Sequence, residues 1–82
     1  MLMNATLTDK VRTIMAEVFD VDEADIPENV SQQDYSRWSS LEQLTLLVAL
    51  EEEFNLTFST SEMSSMSSLP AIVAVLEKHG AV

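Results

Sequence analysis

Residues Ser39 to Phe54 read S-S-L-E-Q-L-T-L-L-V-A-L-E-E-E-F, and how this stretch is read decides the fold. On a helical wheel that advances roughly 100° per residue, Leu46, Leu47, Leu50 and Phe54 share one side. Leu41, Leu44 and Val48 make a second apolar stripe on the other side, bordered by Thr45, Glu51 and Glu52. A helix in a small domain needs one such stripe to build a core. The second stripe, apolar and edged by acids, requires a partner outside the core. Two serines, Ser39 and Ser40, stand where the helix and the second stripe begin. A serine there caps free backbone amides, and the same helix end favours bound negative charge.

Outward from this stretch, composition narrows the possibilities. The chain has 82 residues, which predicts one domain with a core built by packing alone, since there is no cysteine for a disulfide or a thiolate metal site. Fourteen acids against four lysines and arginines give a net charge of −10. That sign excludes nucleic-acid binding through phosphate neutralisation and disfavours acidic membrane surfaces. It fits partners with basic patches, steered in by the protein's field, and equally an acidity that only keeps the protein soluble; composition alone does not separate the two. No apolar run is long enough to span a membrane, and no signal-peptide pattern is evident, so a cytoplasmic protein is expected. One glycine and two prolines are too few for an all-β chain, whereas abundant Ala, Leu, Glu and Met favour helix.

The pattern before this stretch predicts a first helix starting near Thr6 or Thr8, either serving as its cap, with Asp9 in the first turn. Leu7, Val11, Ile14, Met15 and Val18 supply one apolar face, and Phe19 closes the helix over the core. Residues 20 to 39 form a long connection in which Val21, Ile26, Val30, Tyr35 and Trp38 are spaced as anchors and Pro27 fixes a bend. After the second helix, Asn55 suits a left-handed cap, and Leu56 and Phe58 turn inward. A short helical turn is expected at about Ser61 to Met66. A last helix follows, capped by Ser68, with Pro70 in its first turn, Leu69, Ile72, Val73 and Leu76 facing in, and Gly80 as the stop. The predicted fold is all-α: a small four-helix bundle of three longer helices and one short turn, with a long loop between helices 1 and 2.

Catalytic and metal chemistry find little support. The acids Asp20, Asp22, Asp25 and Glu28 lack the calcium-loop pattern, because Asp25 and Ser31 occupy the positions that need glycine and glutamate; a solvated acidic loop is the better reading. His79 is the one histidine, without partners nearby in sequence, and reads as a complement to the last helix's dipole. No nucleophile–base pair assembles around it. The chain is read as a non-enzyme with no metal site.

With these residues in view, the sequence resembles the acyl carrier proteins. The matching residues are Ser40 and Leu41, then L-V-A-L-E-E-E-F from Leu47 to Phe54, with Trp38 just before the motif and V-R-T-I-M-A-E-V-F-D-V from Val11 to Val21 resembling the family's first helix. The resemblance covers residues 1–82 as a single acyl-carrier-like domain. It implies that Ser40 bears a covalent 4′-phosphopantetheine arm whose thiol holds acyl intermediates as thioesters. Ser40 is preferred to Ser39 because leucine and the helix follow it.

The resemblance further implies a monomer serving fatty-acid, polyketide or related biosynthesis, with the pathway and the acyl group left open. Its expected partners are a phosphopantetheinyl transferase and acyl-transferring and condensing enzymes with basic docking patches. These would dock on Leu41, Leu44, Thr45, Val48, Glu51 and Glu52. An acyl chain held between helices would meet Leu46, Leu47, Leu50, Met63, Met66 and Ile72, residues that read equally well as plain core. One departure stands out: the family's aspartate before the serine, at the face read by the transferase, is Ser39 here. A second reading therefore stays open, an unmodified helical interaction module of the same fold. Arg37 is a further departure, a positive charge where acids are usual.

Overall fold

The computed structural model describes residues 5–81 and holds four α-helices: α1 (Ala5–Phe19), α2 (Ser40–Phe54), α3 (Thr60–Ser65) and α4 (Leu69–Lys78). This is the expected all-α bundle. Leu7, Val11, Ile14 and Met15 are buried along one face of α1, Val18 is half-buried, and Phe19 closes the helix at 3% exposure. The expected start of α1 needs correction. Thr6 and Thr8 lie inside the helix instead of capping it, and Asp9 falls beyond the first turn. Thr8 is buried on the helix flank, a position that the apolar periodicity alone gives no reason to fill with threonine.

The three long helices end the same way. Val21 N donates to Ala16 O, Leu56 N to Glu51 O and Ala81 N to Leu76 O, each at 2.9–3.1 Å. Each of these bonds spans a residue with positive φ: Asp20 (59°), Asn55 (53°) and Gly80 (82°). Two of the three stops are thus made by residues whose short polar side chains tolerate the left-handed region, which is how the chain manages with one glycine. At the end of α1, the Arg37 guanidinium also donates to Phe19 O at 3.2 Å. The positive charge that departs from the family's habit has a structural use here, satisfying a helix-terminal carbonyl.

The long connection is pinned from several sides. Arg12 donates to Ile26 O (3.1 Å) and Glu23 O (3.2 Å), holding a single 3₁₀ turn, Glu23–Asp25, against α1. Ile26, Val30 and Trp38 are buried, while Val21 and Tyr35 are half-buried. An isolated antiparallel bridge ties the loop to the α3–α4 junction through Leu69 N to Val30 O (2.9 Å) and Gln32 N to Ser67 O (2.8 Å). The Phe19 ring lies 5.7 Å from Tyr35 and 5.6 Å from Trp38, in tilted contacts. The five expected anchors therefore deliver Ser39 and Ser40 to a fixed place.

α1 packs closely on both α2 and α4, and α3 packs on α4. Leu46, Leu50, Met66, Leu69, Ile72 and Leu76 are fully buried at the centre of a single apolar cluster. Ser59 and Glu62 form a reciprocal capping box at the start of α3, and Ser68 caps α4 by accepting from Ala71 N. The short helix spans Thr60–Ser65, one residue earlier at each end than expected.

Candidate functional site

The two serines at the head of α2 have separate roles. Ser39 is extended (φ −80°, ψ 175°) and is the N-cap; its Oγ accepts from Glu42 N at 3.3 Å and donates to Glu42 Oε1 at 2.9 Å. Serine does here what an aspartate at the same place would do for the helix, since both rank among the best caps. What is missing is the charge. Ser40 is the first residue of α2, exposed, and its hydroxyl has no hydrogen-bond partner among the described residues. It sits beside backbone amides that the helix itself cannot satisfy. A phosphodiester on Ser40 fits this setting, because the helix end favours anions.

Behind Ser40 the chain is rigidly held. Trp38 is 2% exposed, and its Nε1 donates to Gln43 Oε1 at 2.6 Å. Gln43 Nε2 in turn donates to Met66 O, the C-cap of α3, at 2.9 Å. One side chain thus links the loop, α2 and α3 one turn below the serine. Sequence reasoning passed over Gln43. The signal that marks it is a glutamine in the middle of an apolar stripe, on the wheel side of Leu46, Leu47 and Leu50.

The outer stripe of α2 is open. Leu41 is 69% exposed, Leu44 63% and Val48 53%, high values for aliphatic side chains in so small a protein. Thr45, also exposed, returns its hydroxyl to Leu41 O at 3.2 Å. The two acids expected at its border differ. Glu52 is exposed, whereas Glu51 is half-buried and its Oε2 accepts from Phe58 N at 2.9 Å. Glu51 has internal work to do, so its carboxylate is not simply a surface charge.

On the inner side, Leu46, Leu47, Leu50, Met66 and Ile72 are buried and Met63 is half-buried against the same cluster. The structure brings all six together. His79 has no partner nearby in sequence but finds one through the fold. Its Nε2 lies 3.0 and 3.1 Å from the two Glu62 oxygens, and its ring meets Phe58 edge-on at 5.9 Å. Lys78 Nζ stands 3.8 Å from the same carboxylate. The Ser59 amide, then the His79 hydrogen bond, hold Glu62 below its ordinary value of 4.5 against an opposing effect of burial, with the His79 and Lys78 charges adding less. The partner lies 17 residues away in sequence, which is why spacing did not disclose it. Among the described residues, no three His, Asp or Glu side chains gather to hold a metal ion, and no helix is long and apolar enough to cross a membrane.

This geometry defines a class: a helical scaffold that presents one serine hydroxyl at a helix start beside an open apolar stripe. A model of the family described as "Phosphopantetheine attachment site" matches residues 9–76. That span is well over half of the chain, and the chain belongs to this family of phosphopantetheine-bearing carrier domains. Members of the family hold 4′-phosphopantetheine covalently and act as carriers, not as catalysts.

Proposed function

We propose that the protein is an acyl carrier whose 4′-phosphopantetheine is attached to Ser40 and whose cargo is an acyl or related intermediate of fatty-acid, polyketide or similar biosynthesis. The observation that carries this reading is the division of labour at the head of α2: Ser39 is committed to capping, and Ser40 Oγ is exposed and unengaged. In the transfer from coenzyme A, Ser40 Oγ forms the new phosphodiester bond and loses its proton, and the pyrophosphate linkage of coenzyme A breaks to release adenosine 3′,5′-bisphosphate. Once attached, the arm supplies a terminal thiol that holds the cargo as a thioester. The chain's own contribution is positional. The buried Trp38 fixes the approach to α2, Ser39 orders its first turn, and the helix end offsets the new negative charge.

Leu41, Leu44, Thr45, Val48 and Glu52 form the surface offered to a transferase and to acyl-transferring and condensing enzymes. The apolar stripe supplies close contact, and the net charge of −10 steers basic patches toward it. Glu51 contributes to this field while serving Phe58. Leu46, Leu47, Leu50, Met63, Met66 and Ile72 would meet an acyl chain drawn into the bundle, with the methionines as its most adaptable walls.

Incubation with coenzyme A, magnesium and a broad-specificity phosphopantetheinyl transferase should add one 4′-phosphopantetheine, read by intact mass. Absence of an adduct with several transferases would favour the unmodified interaction module that Ser39 leaves open. Replacing the missing charge gives a second check. Ser39→Asp should speed the transfer while changing folding stability by no more than about 0.5 kcal/mol, because one good cap replaces another. Equal transfer rates for the two proteins would mean that this position is not read.

A further inference from the structure

α2 is joined to the two borders of α3 by hydrogen bonds to backbone. α1 packs closely on α2 and α4, and α3 packs on α4, while neither α2 with α3 nor α2 with α4 is among the closely packed pairs. The two α2 side chains bond to backbone on either side of α3, one at its C-cap and one just before its N-cap. Gln43 Nε2 donates to Met66 O at 2.9 Å at the end nearer Ser40, and Glu51 Oε2 accepts from Phe58 N at 2.9 Å at the far end. The two residues lie about 12 Å apart along the helix at its rise per residue. Leu46, Leu47 and Leu50 of α2 and the C-cap Met66 all belong to the same apolar cluster, and Met63 of α3 packs against it.

We propose that Gln43 and Glu51 are latches, and that the Gln43–Met66 bond, one turn from Ser40, controls whether a linear acyl chain on the Ser40 arm enters this cluster. The proposal rests on the carrier reading above and adds to it the residues that govern entry. Ser40 and Gln43 are three apart and therefore neighbours on the helix surface. Along α2, Gln43 lies between Ser40 and the buried Leu46, Leu47 and Leu50, and its amide bridges to the C-cap of α3. Opening costs the Met66 carbonyl its partner, while Trp38 keeps the other half of the Gln43 amide in place. The gate is therefore anchored on one side and breakable on the other.

Gln43→Glu isolates the breakable side. The carboxylate has nearly the same shape and still accepts from Trp38 Nε1, but it has no proton for Met66 O. In the unmodified protein, amide hydrogen exchange across residues 57–66 should accelerate at least about fivefold, the equivalent of one net hydrogen bond, with α1 unchanged. Glu52→Gln serves as the control and should exchange like wild type. If Gln43→Glu does not fold, Gln43→Asn, one methylene too short to reach both partners, should produce the same local acceleration.

Wild type and variant are then loaded from acetyl- and octanoyl-coenzyme A. The octanoyl-minus-acetyl difference in melting temperature should be larger in the variant, because the chain no longer has to break the latch. Unchanged exchange across 57–66 overturns the latch. Faster exchange with the same octanoyl-minus-acetyl difference in both proteins overturns its control of cargo. If neither donor loads either protein, the carrier reading fails and takes the cargo claim with it, while the exchange result still decides the latch.

Discussion

The contact between α1 and α2 and the contact between α2 and α3 use the same helix in opposite ways. α2 packs closely on α1, and its Leu46 and Leu50 are at 0% exposure in the common core. Toward α3, its close attachments are two side-chain-to-backbone hydrogen bonds, and α3 is clasped from α4 by the Glu62 pair with His79 and Lys78. Apolar burial is non-directional and lost only when the surface separates. A hydrogen bond contributes about 0.5–1.5 kcal/mol and an exposed ion pair about 1 kcal/mol or less; both are directional and exchangeable for water. The molecule thus has a body fixed by packing and a short helix, without a fully buried residue of its own, to which polar clasps add, which is where adjustability belongs in a carrier.

The largest effect should come from cutting into the body. Leu50→Ala removes a fully buried side chain and is expected to lower stability by about 2–5 kcal/mol, enough to threaten folding of so small a chain. Met63→Ala, in the half-buried position on α3, should cost only about 1 kcal/mol. Urea denaturation of both variants measures the contrast, and similar losses would erase the distinction between body and clasped helix.

A smaller effect is expected where the two regions meet. Trp38→Phe keeps the aromatic contact with Phe19 but leaves Gln43 Oε1 without its donor, a cost of about 1 kcal/mol or somewhat more. The same variant should loosen residues 57–66 in hydrogen exchange, since it frees the anchored half of Gln43. Loosening confined to residues 20–39 would show that Gln43 does not join the regions.

The smallest effect concerns pH. Glu62 is held below its ordinary 4.5 in the folded protein, chiefly by the Ser59 amide and then by His79. A carboxyl lowered in this way contributes stability above its unfolded value and loses that contribution as pH falls through its folded value. Stability should therefore decline below about 4.5, and Glu62→Gln should flatten that acid limb. Parallel acid limbs for wild type and Glu62→Gln would show that the clasp adds nothing to folding.

Much of this was legible in the chain, and the remainder was not for physical reasons. Helix α2 could be placed closely, because Ser39 or Ser40 and Asn55 carry local cap chemistry and apolar residues recur at helical spacing between them. The anchors Ile26, Val30 and Trp38 were legible for the same reason: large apolar residues in a polar loop have to be buried. The start of α1 was misjudged because threonine caps and threonine inside a helix look alike without the residues around them. Glu62–His79, Arg37–Phe19 and Gln43–Met66 were invisible because each joins residues 17 or more positions apart through a directional bond, and periodicity carries no information about such pairs. At the site, the stripe Leu41, Leu44 and Val48 was evident from the wheel. That Ser39 is bound to its own helix and Ser40 is not could only be seen once the first turn was built.

The claim on which the rest depends is that Ser40, and not Ser39, takes the 4′-phosphopantetheine. After treatment with coenzyme A and a transferase, fragmentation mass spectrometry of the peptide spanning Trp38 to Phe54 locates the adduct directly. The account predicts the adduct on Ser40, its loss in Ser40→Ala and its persistence in Ser39→Ala. An adduct on Ser39, or one that survives Ser40→Ala, would contradict it.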